Sequence, residues 1–290
     1  MITTTVWGSR GSIPVSGSQF HRYGGATTCL ELSLQDAKGD TPSRILIDCG
    51  TGLTELGKEW GDRDNKILLL QTHMHWDHIQ GFPFFRPLFN PNTDLTLWSA
   101  PREGHTFQGQ LSQQMCRPAF PVGLDILPAQ LNFVDLPTEG KNQLGDVTIT
   151  WVDVDHPSGN TAYSIDYHGF RVVFTGDVEI PQSPTSREQL LVLAENADLL
   201  IMDAQYLPSE YPSRKGFGHS TPEDAVTLAQ EAGVKQLLLT HHDPGHTDAQ
   251  LDGKQALAQQ LAVGSKLAVA NAYDRLSINL SQKNAHQACA

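Results

Sequence analysis

The stretch Gln71–Gly81 concentrates side chains that bind metal ions. It reads QTHMHWDHIQG and carries His73, His75, Asp77 and His78 close together. Neutral imidazole nitrogens and carboxylate oxygens are the ligands that zinc and similar metals prefer. In an extended turn, His73 and His75 fall on the same side and can close on one ion. Asp77 and His78 lie further round the turn and can reach a second ion beside it.

The chain supplies further candidate ligands where later strands are predicted to end. The motif itself follows Lys66–Leu70, an apolar run that predicts a buried strand. His156, Asp177 and His241 each follow another predicted strand. The pattern therefore predicts two metal ions. The predicted ligands are His73, His75 and His156 for one ion, Asp77, His78 and His241 for the other, and Asp177 as a bridge between both.

The composition is that of an ordinary globular protein, with 39% hydrophobic and 18% charged residues in a chain of 290. We see no repeat or linker and predict one domain over residues 1–280, followed by a polar tail over residues 281–290. No segment has the ~18 consecutive apolar residues of a membrane span. The first residues lack the pattern of a secretory signal. The expected location is therefore cytoplasmic, with no membrane partner.

Charge and cysteine usage narrow the classes of partner. The net charge of −12 opposes binding to a long nucleic acid, which normally rewards a basic face. A small substrate with one or a few phosphates stays compatible, because bound metal ions supply local positive charge. The four cysteines are scattered without a CxxC pair, so neither a disulfide framework nor a cysteine zinc site is expected. The sequence leaves a homo-oligomer open.

Strands in both halves, with helices distributed among them, predict two sheets packed together with helices outside. The irregular apolar segment Cys116–Gln130 is expected to pack over this core, although a lid formed by residues 112–130 is left open. Phe82, Phe84 and Phe85 follow the first motif. Core packing is their expected role, ahead of a wall against a nucleobase.

Four motifs resemble the ligand motifs of the metallo-β-lactamase superfamily of binuclear metallohydrolases: HMHWDH, DHPSGNTAYSI, FTGDVE and LLTHHDP. The resemblance extends from about Trp7 to about Asp274. It implies an α/β (α+β) fold, a four-layer αβ/βα sandwich with two divalent ions at one edge of the sheets, and it assigns the same seven ligands. It also implies that Asp48 orients a metal-bound histidine. Zinc is the expected metal, although manganese or iron accepts the same ligands.

Features outside these motifs resemble the phosphodiesterase-like branch of that superfamily. Gly218–Thr221, reading GHST, is similar to a motif of transfer-RNA 3′-processing nucleases. In those nucleases the histidine of the motif donates a proton to the leaving oxygen, and the resemblance therefore implies that His219 is a general acid. Residues 157–176 are too few for the substrate-binding arm of those nucleases. The opening VWGSRGSIPVSG resembles the arm-less branch, and Ile180 stands where similar lactonases carry tyrosine.

These features predict a metal-dependent hydrolase, most simply a phosphodiesterase acting on small or cyclic phosphodiesters or nucleotides. In this prediction a hydroxide that bridges the two metals attacks phosphorus. Asp77 and Asp177 hold and orient that hydroxide, and His219 assists the leaving group. Two alternatives stay open. One is a carboxylic ester or lactone hydrolase with the same metal site, and the other is a non-catalytic ligand-sensing protein that retains the site.

Overall fold

Two seven-stranded β-sheets form the centre of the protein. The computed structural model describes residues 1–63 and 65–281. In spatial order, the first sheet contains β14 (Ser277–Leu280), β1 (Ile2–Gly8), β2 (Cys29–Leu34), β3 (Arg44–Ile47), β4 (Lys66–Leu70), β5 (Asp94–Ser99) and β6 (Gln130–Asp135). The second contains β13 (Ala268–Asn271), β12 (Gln236–Thr240), β11 (Leu199–Asp203), β10 (Phe170–Phe174), β9 (Asn160–Tyr167), β8 (Val147–Val154) and β7 (Glu139–Leu144).

Helices cover the outer face of each sheet. Their bounds are α1 (Gly52–Trp60), α2 (Trp76–Ile79), α3 (Phe107–Gln114), α4 (Pro184–Leu193), α5 (Pro222–Glu231) and α6 (Asp248–Leu261). Apolar residues of α1 and α3 share a core with the first sheet, and those of α4, α5 and α6 share a core with the second. A third core lies between the sheets. The predicted four-layer αβ/βα sandwich is therefore confirmed.

The central strands are apolar on both faces because each is covered on both sides. Successive side chains of a strand point to opposite faces. In β3, Ile45 and Ile47 pack between the sheets while Leu46 packs under the helices. In β4, Leu68 and Leu70 face the other sheet in the same way. This explains why both strands read as continuous apolar runs rather than alternating patterns.

A tight turn joins β9 and β10 into a hairpin. Tyr167 pairs with Phe170, which leaves His168 and Gly169 as a two-residue turn. Their φ angles of 49° and 81° are both positive. Positive φ at both positions is the requirement of a type I′ turn, whose twist matches that of the flanking strands. Residues 157–176 are thus occupied by β9, this turn and β10, with no room for an inserted arm.

Some elements differ from the prediction. The strands β7 and β14 were not predicted. β7 is polar and mostly exposed, and it pairs with β8. β14 alternates polar and apolar residues but is only four residues long, too short for a clear pattern. Within residues 112–130, Met115, Leu127 and Ala129 are buried against the first sheet, and Phe120 and Leu124 pack partly against the same core. Most other residues of the segment are exposed, so the expected packing holds only at these positions. Apart from Ser281, the predicted tail lies outside the described residues. The domain boundary at residue 280 stays a proposal.

None of the helices within residues 1–63 and 65–281 combines the length and apolar character needed to cross a membrane.

Parallel pairing brings several strand ends to one edge of the sandwich. The strands β3, β4, β5 and β6 are mutually parallel neighbours, as are β10, β11, β12 and β13. The carboxyl ends of parallel strands lie at the same edge of a sheet, where sites commonly form. Asp48 follows β3, the HMHWDH motif follows β4, Asp177 follows β10 and His241 follows β12.

Candidate metal centre

The seven predicted ligands meet at this edge. Their donor atoms form two groups, and within each group all atoms lie within 4.8 Å of one another. One group contains His73, His75, His156 and Asp177, and the other contains Asp77, His78, Asp177 and His241. Asp177 belongs to both groups, as a bridging ligand would. Metal ligation by these side chains stays a prediction, but the fold brings all of them together.

One oxygen of Asp177 lies near the middle of the cluster. Its Oδ2 is 3.5 Å from His73 Nε2 and 3.7 Å from His156 Nε2. The same atom is 3.3 Å from His78 Nε2 and 3.2 Å from His241 Nε2. Four imidazole nitrogens therefore converge on a single carboxylate oxygen.

The burial of this cluster fits divalent cations. Asp77 and Asp177 are 5% and 2% exposed, and buried carboxylates require a compensating positive charge. His73 Nε2 is buried without a hydrogen-bond partner among the described residues, which is costly unless the nitrogen binds something. Burial lowers the pKa of His156 to about 4, so that its ring is neutral at pH 7, as metal ligation requires. The donor set therefore fits two divalent metal ions.

Asp48 lies where it can fix the orientation of His78. His78 Nδ1 donates to Asp48 Oδ2 at 2.7 Å, which directs Nε2 toward the cluster. Asp48 also accepts from the backbone nitrogen of Thr72 at 2.8 Å and from its hydroxyl at 2.9 Å. Such hydrogen bonds set the tautomer of a metal-binding histidine and raise its basicity.

Two other histidines are oriented by groups that sequence reasoning missed. His156 Nδ1 donates to the carbonyl oxygen of Gly218 at 2.8 Å, and His241 Nδ1 donates to Gln205 Oε1 at 2.8 Å. A backbone carbonyl leaves no trace in the sequence. Gln205 lies two residues after β11, and its position just past a strand end is the one sequence signal that could have indicated it.

The glycine- and serine-rich loop after β1 closes one side of the cluster. The backbone nitrogen of Ser12 donates to Asp77 Oδ2 at 2.7 Å. A Cβ atom on Gly11 would lie 2.3 Å from the ring of His241, so any larger residue would displace that ligand. The fully buried Arg10 anchors the loop, since Nε donates to the carbonyl of Gly24 at 2.9 Å.

The predicted general acid, His219, lies against predicted ligands of both groups. Its ring stacks on His241 with centroids 4.8 Å apart and contacts the ring of His156 at 5.2 Å. It is 7% exposed, and its Nδ1 donates to Asp203 Oδ2 at 2.9 Å. This hydrogen bond leaves Nε2 as the ring nitrogen that can give a proton to a substrate.

Asp203 was missed by sequence reasoning, although it ends β11 at the same edge as the predicted ligands. It is fully buried, and the backbone nitrogen of Val178 donates to its Oδ2 at 3.1 Å. Burial alone would lower the pKa of His219, but the carboxylates of Asp203 and, to a smaller extent, Asp177 and Asp77 outweigh this effect and raise the pKa to about 9. His219 is therefore held protonated at neutral pH, as a general acid must be.

Comparison with known proteins agrees with this geometry. Residues 43–242 match the family model of the β-lactamase superfamily domain. The chain belongs to the metallo-β-lactamase superfamily of metal-dependent hydrolases. Among solved structures, the metallo-β-lactamase fold protein YhfI from Bacillus subtilis superposes with a TM-score of 0.70 at 20% identity. The match covers 96% of this chain and 98% of that one, and it supports the shared fold.

Curated relatives of this superfamily member carry the name ribonuclease Z. The protein from Brevibacillus brevis is 38% identical over 104 residues, which cover 34% of this chain and 31% of that relative. The chain therefore matches less than a third of the length of that relative. The protein from Lactococcus lactis subsp. cremoris is 27% identical over 261 residues, covering 74% of this chain and 82% of that one.

Replacing Asp203 by asparagine should alter the pH dependence of this superfamily member. The carboxylate raises the pKa of His219, so its removal lowers that pKa. A general acid acts while it is protonated, and the alkaline limb of the kcat profile is therefore expected to move to lower pH. The measurement is kcat against pH for both proteins, loaded with the same metal. An unshifted alkaline limb, with the fold and metal content intact, would contradict a role for Asp203 in holding this proton.

Glu179 fixes the loop that carries His219. This side chain is 4% exposed and lies two residues after Asp177. Its Oε2 accepts from the backbone nitrogens of Gly216 at 3.0 Å and Gly218 at 2.9 Å. Its Oε1 accepts from the hydroxyl of Tyr211 at 2.8 Å. Both oxygens of the Glu179 carboxylate therefore hold the loop that leads to His219.

The Glu179→Gln variant should loosen this loop, because the amide group can accept with only one of its two ends. A displacement of about 1 Å at a reacting group can cost about 100-fold in rate, so we expect kcat to fall roughly 10- to 100-fold. Steady-state kinetics with metal analysis would measure this. Glu188→Gln, at an exposed position on α4, is the matched control. Equal rates for both variants would exclude a positioning role for Glu179.

Proposed function

We propose that the protein is a phosphodiesterase that hydrolyses small phosphodiesters, including cyclic nucleotides, with two divalent ions held by the seven residues above. The observation that carries this proposal is the contact of His219 with His156 and His241, one from each predicted ligand group. A proton donor at that position would lie beside a group held by both sets of ligands. Zinc is the metal favoured by the ligand types.

In this proposal each side chain has a defined task. Two bound divalent ions supply a water of lowered pKa and neutralise charge on the phosphoryl oxygens. The carboxylates of Asp77 and Asp177 accept hydrogen bonds from the attacking water and orient it. Asp203 keeps His219 Nδ1 protonated, and His219 Nε2 gives its proton to the leaving oxygen. A leaving alcohol benefits most, since its anion is a poor leaving group.

The preference for a small substrate is supported by two observations. Of residues 157–176, all but a few at each end belong to β9, the turn and β10, which leaves no room for an inserted arm. The net charge of −12 disfavours the backbone of a long RNA. The names of the curated relatives favour RNA processing, so a nuclease acting on transfer-RNA precursors is the second candidate. The cytoplasmic location and a homo-oligomeric state stay predictions.

A substrate panel on protein loaded with zinc or manganese tests this proposal. We expect turnover of bis-p-nitrophenyl phosphate and of a 2′,3′- or 3′,5′-cyclic nucleotide. Turnover of p-nitrophenyl acetate or lactones alone would replace the proposal with a carboxylic ester or lactone hydrolase. Cleavage of a transfer-RNA precursor without cleavage of small diesters would favour the nuclease. Bound metal with no turnover on any substrate would favour a ligand-sensing protein.

A further inference from the structure

A cavity of about 420 Å³ has Trp76, from the HMHWDH motif, in its wall. Its volume falls within the ~300–1,000 Å³ that small-molecule sites occupy. The side chains that line it include Trp76, Gln80, Gln110, Gln113, Gln114 and Phe120. They come from α2 with the residue that follows it, from α3, and from the segment after α3. Parts of the chain far apart in sequence therefore build this one cavity.

Trp76 links the cavity to the predicted ligands by its place in the chain. This residue lies between His75 and Asp77 in the chain. Neighbouring Cα atoms are about 3.8 Å apart, so the base of the tryptophan side chain is within one residue of a ligand from each group. Trp76 therefore belongs both to the wall of the cavity and to the motif that carries four of the predicted ligands.

Aromatic rings offer faces to a planar ligand here. Trp76 is 73% exposed, so it contributes little to the core despite being the largest kind of side chain. Phe120 contacts Phe84 edge to face with centroids 5.9 Å apart, and Phe84 is 59% exposed. Phe82 and Phe85 are instead fully buried, as expected for core packing. Exposed aromatic rings beside a site are the platforms on which nucleobases stack, whatever their sequence.

The polar groups of the cavity are neutral amides. None of the described residues lining it is ionisable, so it has no charged partner for a second phosphate or a carboxylate. Gln114 Nε2 donates to the carbonyl of Ile79 at 3.0 Å, which fixes the orientation of that amide. Its Oε1 is buried and has no hydrogen-bond partner in the part of the chain that the structure describes. Amide side chains match the donors and acceptors on the edges of nucleobases.

We propose that this cavity binds the nucleobase of the substrate, so that the diesters hydrolysed here are nucleoside phosphodiesters. The assignment of the bound group as part of a substrate rests on the proposed phosphodiesterase function. An aliphatic chain would leave the glutamine amides unpaired, and a bare sugar would not use the aromatic faces. A planar, uncharged ring with hydrogen-bonding edges uses both.

Paired substrates with and without a base test this proposal. The ratio of kcat/KM for adenosine 2′,3′-cyclic phosphate to that for a base-free cyclic diester of ethylene glycol should be well above one. Stacking on one aromatic ring is worth enough that Trp76→Ala should lower this ratio roughly 10-fold. Gln110→Ala should lower it by a smaller factor. Phe89→Ala, which removes a 51% exposed ring outside the cavity, should leave the ratio unchanged.

Binding to metal-free protein provides a second readout that needs no turnover. Adenosine should bind in ligand-observed NMR titrations while ribose does not, and Trp76→Ala should weaken adenosine binding roughly 10-fold. Turnover of both diesters with a ratio near one, and no adenosine binding, would overturn the base site and leave the phosphodiesterase function standing. Adenosine binding that depends on Trp76, without turnover of any diester, would support the base site and overturn the function.

Discussion

The His219→Ala variant is expected to lose about 10²- to 10⁴-fold in kcat toward a diester with an alcohol leaving group, the range of general acid catalysis. The side chain is the proton donor in contact with both ligand groups. The loss should be much smaller for a p-nitrophenolate leaving group, which departs without a proton. Steady-state kinetics on both substrates measures the difference.

Metal analysis is the necessary control for this variant, because His219 touches two predicted ligands. Its metal content should match that of the unaltered protein. An equal loss on both substrates, together with loss of metal, would mean that His219 holds the centre together rather than donating a proton. Loss confined to the alcohol leaving group would exclude a purely structural role.

The Asp177→Ala variant is expected to lose metal affinity and activity together. Removing a group that only orients a ligand costs about 10- to 100-fold in affinity, so removing a carboxylate shared by both ligand groups should cost at least about 100-fold. Metal content after dialysis and kcat would both be measured. Asp146→Ala, at a side chain 56% exposed, should retain both.

Thermal unfolding gives the same prediction an independent test. Metal at 100 times its Kd stabilises the folded state by about 2.7 kcal/mol, which corresponds to a rise in Tm of about 5–10 °C for a chain of this size. Chelation should therefore lower the Tm of the unaltered protein and of Asp146→Ala, but not that of Asp177→Ala. A metal-dependent Tm that survives in Asp177→Ala would show that this aspartate is not a ligand.

The sequence predicts the parts of the site that depend on residue type and on strand ends. Apolar runs such as β4 and β12 are buried on both faces, and their length and composition mark them clearly. Chemically distinctive side chains directly after those runs, such as His73 and His241, must then converge where parallel strands end. That is why the fold and the grouping of candidate ligands could be inferred before the structure was known.

The parts that could not be predicted depend on tertiary contacts of ordinary residues. Asp203 and Glu179 are acidic residues near strand ends, and nothing in their spacing distinguishes a buried partner of His219 from a solvated carboxylate. The backbone nitrogen of Ser12 and the carbonyl of Gly218 carry no sequence signal at all. The strand β7 is polar and forms because it pairs with the edge of β8. The residues of β7 alone give no sign of this pairing.

The position of Gly218 couples metal affinity to the order of the loop that carries His219. Its carbonyl oxygen accepts from His156, and its nitrogen donates to Glu179, so one peptide segment is tied both to a candidate ligand and to the anchor of the acid-bearing loop. Coupling free energies are reciprocal. Metal binding to His156 should therefore protect residues 207–219 from proteolysis and slow their amide exchange. A substrate that orders this loop should tighten metal binding by the same factor by which the metal tightens binding of that substrate.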